Sequence, residues 1–352
     1  MDGTSRAGYM PTEYGGRPRR GQEAAGASGV CRSEASRTGV IGPGSRCLPP
    51  GLLLSLVLGL LSGCVPPDRP PHLPEDLPEA ARLWLGPDRV QSLSLGPGLS
   101  YFRASASGEP WVVYLLRANL RRCDLGLQVL PALSPAEEGG GTTRRRVSEL
   151  LDGGEGGIVA AVNGDFFTPE GLPLGTEMTR GRARRIRERP ALSWWPGSPP
   201  WMGLVEMLGD TAVALDRALS RTAPPDEAEV LGGFPLLLRE GERVGDLQVS
   251  ERPSFAAARH PRTAVGWDED EEALWVLVVD GRQPQHSDGM TLPELTALLE
   301  ALGVEEALNL DGGGSSAMVV RGVVVSSPSD AQGERPVANA LGIRREPAFC
   351  LR

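Results

Sequence analysis

The sequence predicts an α+β fold, with a mixed, largely antiparallel β-sheet and flanking helices. Segments rich in β-branched and aromatic residues outnumber those with helical periodicity. Their connections are short and hairpin-like, which suits antiparallel pairing better than a doubly wound sheet. Hydrophobic residues make up 40% of the chain, which is enough to bury a sizeable core.

The first half of the folded part contains strand-like segments and one short helical segment. Residues 144–151 are the predicted helix. From residue 168 to 259 the pattern is less regular, because Pro and Gly separate short strands such as residues 233–238. The predicted strands before that stretch are residues 111–116, 125–130 and 157–162.

The second half has the clearest helix. Thr291 is its predicted N-cap, Glu294 completes a capping box, and Gly303 ends the helix. One face is formed by Leu292, Leu295, Leu298, Leu299 and Leu302. The predicted strands of this half are residues 262–266, 273–279 and 307–310, followed by a hairpin of residues 317–320 and 323–326.

The N-terminal part has the features of an export signal. Residues 1–50 are predicted to be a disordered extension, and translation starting further along, for example at Val40, would leave residues 1–39 untranslated. Residues 51–64 read as a signal peptide, in which Leu61-Ser62-Gly63-Cys64 resembles the lipobox of bacterial lipoproteins. We therefore expect an exported protein, lipid-anchored to a cell-envelope membrane through Cys64. Residues 65–80 are a Pro-rich tether, and residues 81–346 are the folded domain.

The charge balance limits the partners. A formal net charge of -9 argues against a general nucleic-acid binder, which needs a basic face to neutralise phosphates. Residues 180–189 form a basic run all the same. This run is either a solvated loop or a place that holds an anionic polysaccharide.

Two cysteines remain once the leader is removed. Cys31 and Cys47 belong to the discarded precursor, and lipidation uses Cys64. Cys123 and Cys350 form either one disulfide or two buried thiols.

Three acidic loops come at the ends of predicted strands, where functional residues are common. They are residues 163–165, 280–282 and 311–315. The last contains three glycines in a row, which indicate a backbone that presents N–H groups to a ligand such as phosphate, beside the hydroxyls of Ser315 and Ser316. The loop is not a Walker A motif, and no His follows Ser316 to complete a hydrolase triad.

An ordered set of motifs resembles the phosphodiester glycosidase family over residues 157–343. The motifs are Asn163-Gly-Asp-Phe-Phe167, Arg262-Thr-Ala-Val-Gly266, Asp280-Gly-Arg282, Gly289-Met-Thr-Leu-Pro-Glu-Leu295, Leu302-Gly303, Ala307-Leu-Asn-Leu-Asp-Gly-Gly-Gly-Ser-Ser316, Pro328-Ser-Asp330 and Glu334-Arg-Pro336. Residues 81–346 are thereby identified with a phosphodiester glycosidase domain. Asp165 stands where many members have a small residue, so its role is open.

The resemblance implies a hydrolase that cleaves sugar-1-phosphodiesters, such as GlcNAc-1-phosphodiesters, in cell-envelope or exopolysaccharide glycans. Asp311 and Asp280 are the predicted catalytic carboxylates, because an oxocarbenium-like transition state needs a carboxylate. Asp165 and His286 are predicted accessory residues. The predicted substrate and phosphate ligands are Arg262, Arg282, Asn163, Gly312, Gly313, Gly314, Ser315 and Ser316. For the two arginines, an internal ion pair with the aspartates is the alternative.

The implied partners are the sugar-phosphodiester glycan and the membrane. No organic cofactor is expected. The spacing of His260 and His286 does not suit zinc, whereas an oxygen-ligated cation held by Asp residues stays open. The alternative function is a non-catalytic envelope lipoprotein that binds carbohydrate or assists exopolysaccharide assembly.

Overall fold

The structure is a computed structural model that describes residues 76–86, 90–105, 110–133, 143–152, 156–208, 212–214, 227–347 and 349. The predicted extension, the signal peptide with Cys64 and residues 65–75 of the tether lie outside this set. Within it, no helix combines the length and the hydropathy that crossing a bilayer requires.

Short strands dominate the described residues. In chain order the elements are α1 (Glu79–Leu85), β1 (Val90–Gly96), β2 (Leu99–Ser105), β3 (Val112–Asn119), β4 (Leu125–Pro131), α2 (Val147–Asp152), β5 (Ile158–Asn163), β6 (Glu177–Thr179), β7 (Arg182–Arg185), β8 (Pro190–Trp194), β9 (Trp201–Leu204), β10 (Glu206–Leu208), β11 (Ala212–Ala214), β12 (Glu229–Gly232), β13 (Leu236–Arg239), β14 (Glu242–Arg243), α3 (Pro253–Ala256), β15 (Arg262–Asp268), β16 (Ala273–Val279), α4 (Leu292–Ala301), β17 (Glu306–Asn309), β18 (Met318–Val320), β19 (Val323–Val324) and β20 (Asn339–Arg345).

The strands form antiparallel sheets, as predicted. The largest has the order β1-β2-β3-β16-β15-β17-β13-β14, and two five-stranded sheets have the orders β7-β6-β12-β8-β9 and β19-β18-β5-β20-β4. Every pairing between the described strands is antiparallel. The α+β prediction is confirmed.

The eight-stranded sheet separates two hydrophobic clusters. Side chains alternate across a strand, so on β16 Val276 and Val278 face one cluster while Trp275 and Leu277 face the other. The first cluster lies against the five-stranded sheets, and the second is covered by α1 and α4. Burying each such side chain contributes about 1.5–3 kcal/mol to stability.

Helix α4 begins and ends where the sequence predicts. Thr291 Oγ1 accepts from the Glu294 N–H at 3.2 Å, and Glu294 Oε2 accepts from the Thr291 N–H at 2.9 Å, which completes the capping box. Gly303 follows with φ of +80°, the left-handed conformation that ends helices. The hairpin of β18 and β19 is also confirmed, with Arg321 and Gly322 at positive φ in its turn.

Other elements differ from the predictions. The predicted helix over residues 144–151 is shorter, because Arg145 instead forms a β-bridge with Val337. The predicted strand over residues 233–238 begins only at Leu236, after a cis peptide bond between Phe234 and Pro235.

The last residues of the segment assigned to the tether are part of the fold. Leu77 is fully buried and α1 begins at Glu79. Between β3 and β4, Cys123 is disulfide-bonded rather than a free thiol, while Cys350 lies outside the described residues.

Strand register brings the motif loops to one edge of the molecule. Arg262 lies opposite Val279, so Asp280 follows at the same end of the sheet. β17 pairs with β15 and ends at Asn309, two residues before Asp311.

Candidate active site

Asp311 follows β17 and is held by the loop after β5. Its N–H donates to the Gly164 carbonyl oxygen at 3.0 Å, and its carbonyl oxygen accepts from Asn163 Nδ2 at 2.7 Å. Asn163 is fully buried, and its Oδ1 accepts from Thr263 Oγ1 and the Ala317 N–H. The structure thus places Asn163, a predicted substrate ligand, beneath Asp311, where both of its side-chain polar atoms bond within the protein.

Two adjoining clefts meet at Asp311. The first has a volume of about 380 Å³ and the second of about 450 Å³, and Asp311, Phe166 and Arg335 line both. The first is also lined by Phe255, His260, Arg262 and Arg282, and the second by Arg144, Phe167 and Leu174. Among the described lining residues, Asp311 alone carries a carboxylate. A substrate that spans the two clefts would therefore place its scissile bond at Asp311.

Arg282 is a cation without a protein partner at this site. Its side chain is exposed and makes no hydrogen bond or ion pair with any residue that the structure describes. The guanidinium lies over Gly313, where an added Cβ would come within 3.0 Å of Nη2. The predicted alternative, an ion pair with an aspartate, is not formed. Arg282 is thus available to bind an anion.

Arg335 is oriented by an acidic partner. Asp330 accepts two hydrogen bonds from its guanidinium, at 2.8 Å and 3.0 Å, in the bidentate arrangement that fixes an arginine plane. Gly314 packs directly on this pair. The side chain remains part of both cleft walls.

Arg262 holds the wall of the first cleft. It is 2% exposed, and its guanidinium donates to the carbonyl oxygens of Met290, Phe255 and Ala258. Burial lowers its pKa to about 10, and the nearby Arg282 charge adds to that effect. Among the described residues it forms no ion pair with an aspartate.

The glycine triplet does not form an open cradle of three N–H groups. The Gly312 N–H donates to Asp311 Oδ1 and the Gly313 N–H to the Pro261 carbonyl oxygen, each at 2.9 Å. A single 3-10 turn then follows over Gly313–Ser315. Ser315 Oγ is buried beside the Asp311 carboxylate without a hydrogen bond of good geometry. Binding an anion therefore falls mainly to the arginines.

The pKa of the Asp311 carboxyl is raised above its ordinary value. Burial raises its pKa to about 6. The Ser315 hydroxyl, the Gly312 N–H and the charges of Arg335 and Arg282 oppose that rise. Such a group is mostly ionised at pH 7 and still able to accept a proton, which suits a glycosidase carboxylate.

Asp280 lies behind the clefts rather than in their walls. Its buried carboxylate accepts from Tyr114 Oη at 2.9 Å and from the Ser327 N–H at 2.8 Å, and it lies 2.7 Å from His286 Nε2. Burial raises its pKa, and the His286 hydrogen bond is the largest opposing effect. The catalytic role of Asp280 stays a prediction. The geometry favours an indirect role, in which Asp280 positions the loop that carries Arg282.

Asp165 occupies a buried niche made by glycines. It is 1% exposed, Oδ2 accepts from the Gly175 N–H at 2.5 Å, and Oδ1 has no hydrogen-bond partner among the described residues. An added Cβ on Gly175 or Gly232 would lie 2.9 Å or 2.7 Å from Oδ2, so the carboxyl fits only because both lack side chains. Burial raises its pKa to about 7; the Asp311 charge contributes to the rise, and the Arg189 charge opposes it.

This niche predicts a pH-dependent stability. An acid whose folded pKa is raised keeps its proton in the folded state while the unfolded chain loses it, so stability falls as pH rises from about 4 to about 7. We expect Asp165→Asn to remove up to ~4 kcal/mol of that fall. Chemical unfolding at several pH values measures it. The exposed Asp270→Asn is the control, and equal pH profiles for wild type and Asp165→Asn would contradict the assignment.

Several cleft residues were not among the predicted site residues. Arg335 belongs to a family motif, so the motif was the available signal. His260 bonds to the Ser254 carbonyl oxygen through Nε2 at 2.8 Å. Phe166 packs on Phe255 with ring centroids 6.2 Å apart, a long-range contact that no local pattern indicates. In the described part of the chain, no group of three or more His, Cys, Asp or Glu side chains is placed to hold a metal ion.

The fold and the cleft define a class of protein. The sequence profile of the phosphodiester glycosidase family matches residues 156–344, more than half of the chain. The chain belongs to the phosphodiester glycosidase family.

Known relatives fit this membership. The chain is 30% identical over 223 residues to N-acetylglucosamine-1-phosphodiester alpha-N-acetylglucosaminidase of Bos taurus, a match that covers 60% of this chain and 40% of that protein. It therefore spans less than half of this relative's length.

Two solved structures share the fold. The catalytic domain of the zebrafish N-acetylglucosamine-1-phosphodiester alpha-N-acetylglucosaminidase aligns with a TM-score of 0.54 at 22% identity, over 73% of this chain and 89% of that chain. A hypothetical protein from Synechocystis aligns with a TM-score of 0.56 at 17% identity, over 73% of this chain and 64% of that chain.

Proposed function

We propose that the protein hydrolyses the glycosidic bond of sugar-1-phosphodiesters, with N-acetylglucosamine-1-phosphodiesters as the first candidates. One observation carries the proposal. Asp311, the carboxylate of the described cleft lining, lies where two clefts meet, and the charges of Arg282 and Arg335 both act on it. The family membership and the name of the bovine relative support the same reaction.

The chemistry follows from this arrangement. The bond between the anomeric carbon and the phosphate oxygen breaks, and the oxygen keeps the electron pair. Water supplies the hydroxyl of the released sugar and loses one proton. Asp311 stabilises the oxocarbenium-like transition state or accepts that proton. Arg282 and Arg335 neutralise the phosphate that leaves, so strong acid assistance is unnecessary.

The clefts divide the substrate. The first cleft contains Arg262, Arg282 and Arg335 and suits the phosphate. The second has an apolar wall of Phe166, Phe167 and Leu174 and suits the sugar ring. The aglycone then continues from the first cleft, past Phe255.

We also propose that the substrate is a cell-envelope or exopolysaccharide glycan and that the protein reaches it as an exported, lipid-anchored bacterial lipoprotein. The support is the apolar run and lipobox-like segment that ends at Cys64. Metabolic labelling with a fatty acid tests this part, because Cys64→Ser is expected to abolish incorporation of the label.

Incubation of the full chain with a panel of sugar-1-phosphodiesters tests the activity. We expect free sugar and a phosphomonoester in equal amounts from at least one of them. Release of nothing from any substrate would favour the alternative, a lipoprotein that binds carbohydrate or assists exopolysaccharide assembly without catalysis.

Arg282→Gln is expected to raise KM for the cleaved phosphodiester by about 10- to 100-fold, because it removes a charge-assisted contact of roughly 1.5–3 kcal/mol. Steady-state kinetics measures it. Arg239→Gln removes an exposed arginine from the end of β13 and is the matched control. An unchanged KM in Arg282→Gln would remove this residue from the phosphate site.

A further inference from the structure

Two arginines flank one aromatic ring. Arg189 Cζ lies 5.2 Å and Arg252 Cζ lies 5.5 Å from the centroid of Phe234. Neither guanidinium has a hydrogen bond or ion pair with any residue that the structure describes. A ring face attracts a cation, but two cations on one ring repel each other. An anion that binds both would relieve that repulsion.

This group, Arg189, Phe234 and Arg252, lies beside the first cleft. The Phe234 N–H donates to the Asn309 carbonyl oxygen at 2.8 Å, and Asn309 Nδ2 donates to the Phe234 carbonyl oxygen at 2.7 Å. Asn309 is two residues before Asp311. Arg252 is the N-cap of α3, whose Phe255 lines the first cleft.

Arg189 belongs to the basic run over residues 180–189, in which some cations have an acidic partner. Arg184, for example, is neutralised by Glu177 at 2.8 Å. The Arg189 charge instead reaches the buried Asp165 carboxyl, next to the cleft residue Phe166. Arg189 and Arg252 thus place two cations without a described partner beside the first cleft, in a chain of net charge -9.

We propose that Arg189 and Arg252 form a second phosphate subsite, which selects glycan chains that carry repeated phosphodiesters. The assignment to the aglycone side rests on the proposed function. Both guanidinium groups lie within 5.5 Å of the Phe234 ring centroid, and each can offer two N–H donors to phosphate oxygens. A chain with one phosphate at Arg282 and the next at this subsite would be held at both points.

Calorimetric titration of the full chain with inorganic polyphosphate and with orthophosphate tests the proposal. The variant is Arg189→Gln/Arg252→Gln. The control is Arg182→Gln/Arg239→Gln, which removes the same charge from exposed positions on β7 and β13. We expect the variant to bind polyphosphate at least ~10-fold more weakly, to lose about one unit of salt slope, and to retain orthophosphate binding at the Arg282 site.

Three outcomes would overturn the subsite. An equal loss in the control would mean that bulk charge alone acts, and no loss in the variant would mean that the arginines do not bind. Loss of orthophosphate binding by the variant would mean that the two sites are not separate. Thermal unfolding confirms that each variant is folded.

Failure of the subsite proposal can be distinguished from failure of the proposed glycosidase function. If no sugar-1-phosphodiester is cleaved but polyphosphate binding still depends on both arginines, the subsite stands and the glycosidase proposal fails. If a sugar-1-phosphodiester is cleaved but the variant binds polyphosphate as tightly as the wild type does, the glycosidase proposal stands and the subsite proposal fails.

Discussion

Asp311→Asn is expected to lower kcat on a cleaved sugar-1-phosphodiester by about three orders of magnitude, because a neutral amide neither stabilises an oxocarbenium ion nor accepts a proton from water. The fold should survive. Asn keeps the shape of the side chain and can still accept from the Gly312 N–H. The bond donated to Gly164 and the bond accepted from Asn163 involve only the backbone of residue 311. Steady-state kinetics and thermal unfolding, measured together, separate the two properties.

The control for this variant is Asp152→Asn, an exposed aspartate at the end of α2. It should leave kcat and stability unchanged. The pH profile adds a second readout. Because the active form of Asp311 is the carboxylate and its pKa is raised to about 6, kcat should fall as pH drops through that value. A residual activity of Asp311→Asn near the wild-type level would exclude the residue from catalysis.

The sequence correctly predicted the elements that depend on contacts between residues close in the chain. The capping box of Thr291 and Glu294, the leucine face of α4 and the hairpin turn at Arg321 and Gly322 each depend on residues within a few positions of one another. The apolar run over Ala273–Val279 is a central strand, as its composition indicates. These features need no tertiary information.

The elements that the sequence did not predict correctly depend on tertiary contacts. Arg145 pairs with Val337 across nearly two hundred positions, so helical periodicity could not place the start of α2. β20 was not predicted, although it lies between β5 and β4 in its sheet. Its polar and glycine residues hide a strand whose burial comes from partners far along the chain.

The candidate site could likewise be predicted only in part from the sequence. The family resemblance predicted Asp311 and Arg282 as site residues, and both line the first cleft in the structure. The sequence could not show that the side chains of Asn163 and Asp280 are bonded within the protein. Those bonds depend on strand register and on Tyr114 and Ser327 from other elements. Sequence spacing indicates chemistry, whereas the direction of a side chain depends on packing.

Gly314→Ala is expected to lower kcat/KM by about 10- to 100-fold and to destabilise the fold by about 1–3 kcal/mol, the usual cost of overpacking a tight contact. An added Cβ would lie 2.2 Å from both Arg335 Nη2 and Asp330 Oδ1, so the ion pair would have to move. Arg335 lines both clefts and its charge acts on Asp311. A displaced guanidinium would therefore weaken the hold on the leaving phosphate.

The size of this effect tests why the third glycine stands in the loop. Gly156→Ala is the matched control, since an added Cβ there meets nothing within 4 Å and Gly156 does not have a positive φ. If Gly314→Ala kept wild-type kinetics while losing stability, the glycine would only relieve packing. A kinetic loss together with a raised Kd for orthophosphate would instead show that a missing side chain positions Arg335. The triplet would then serve the site by admitting two guanidinium groups, at Gly313 and Gly314, more than by presenting its own N–H groups.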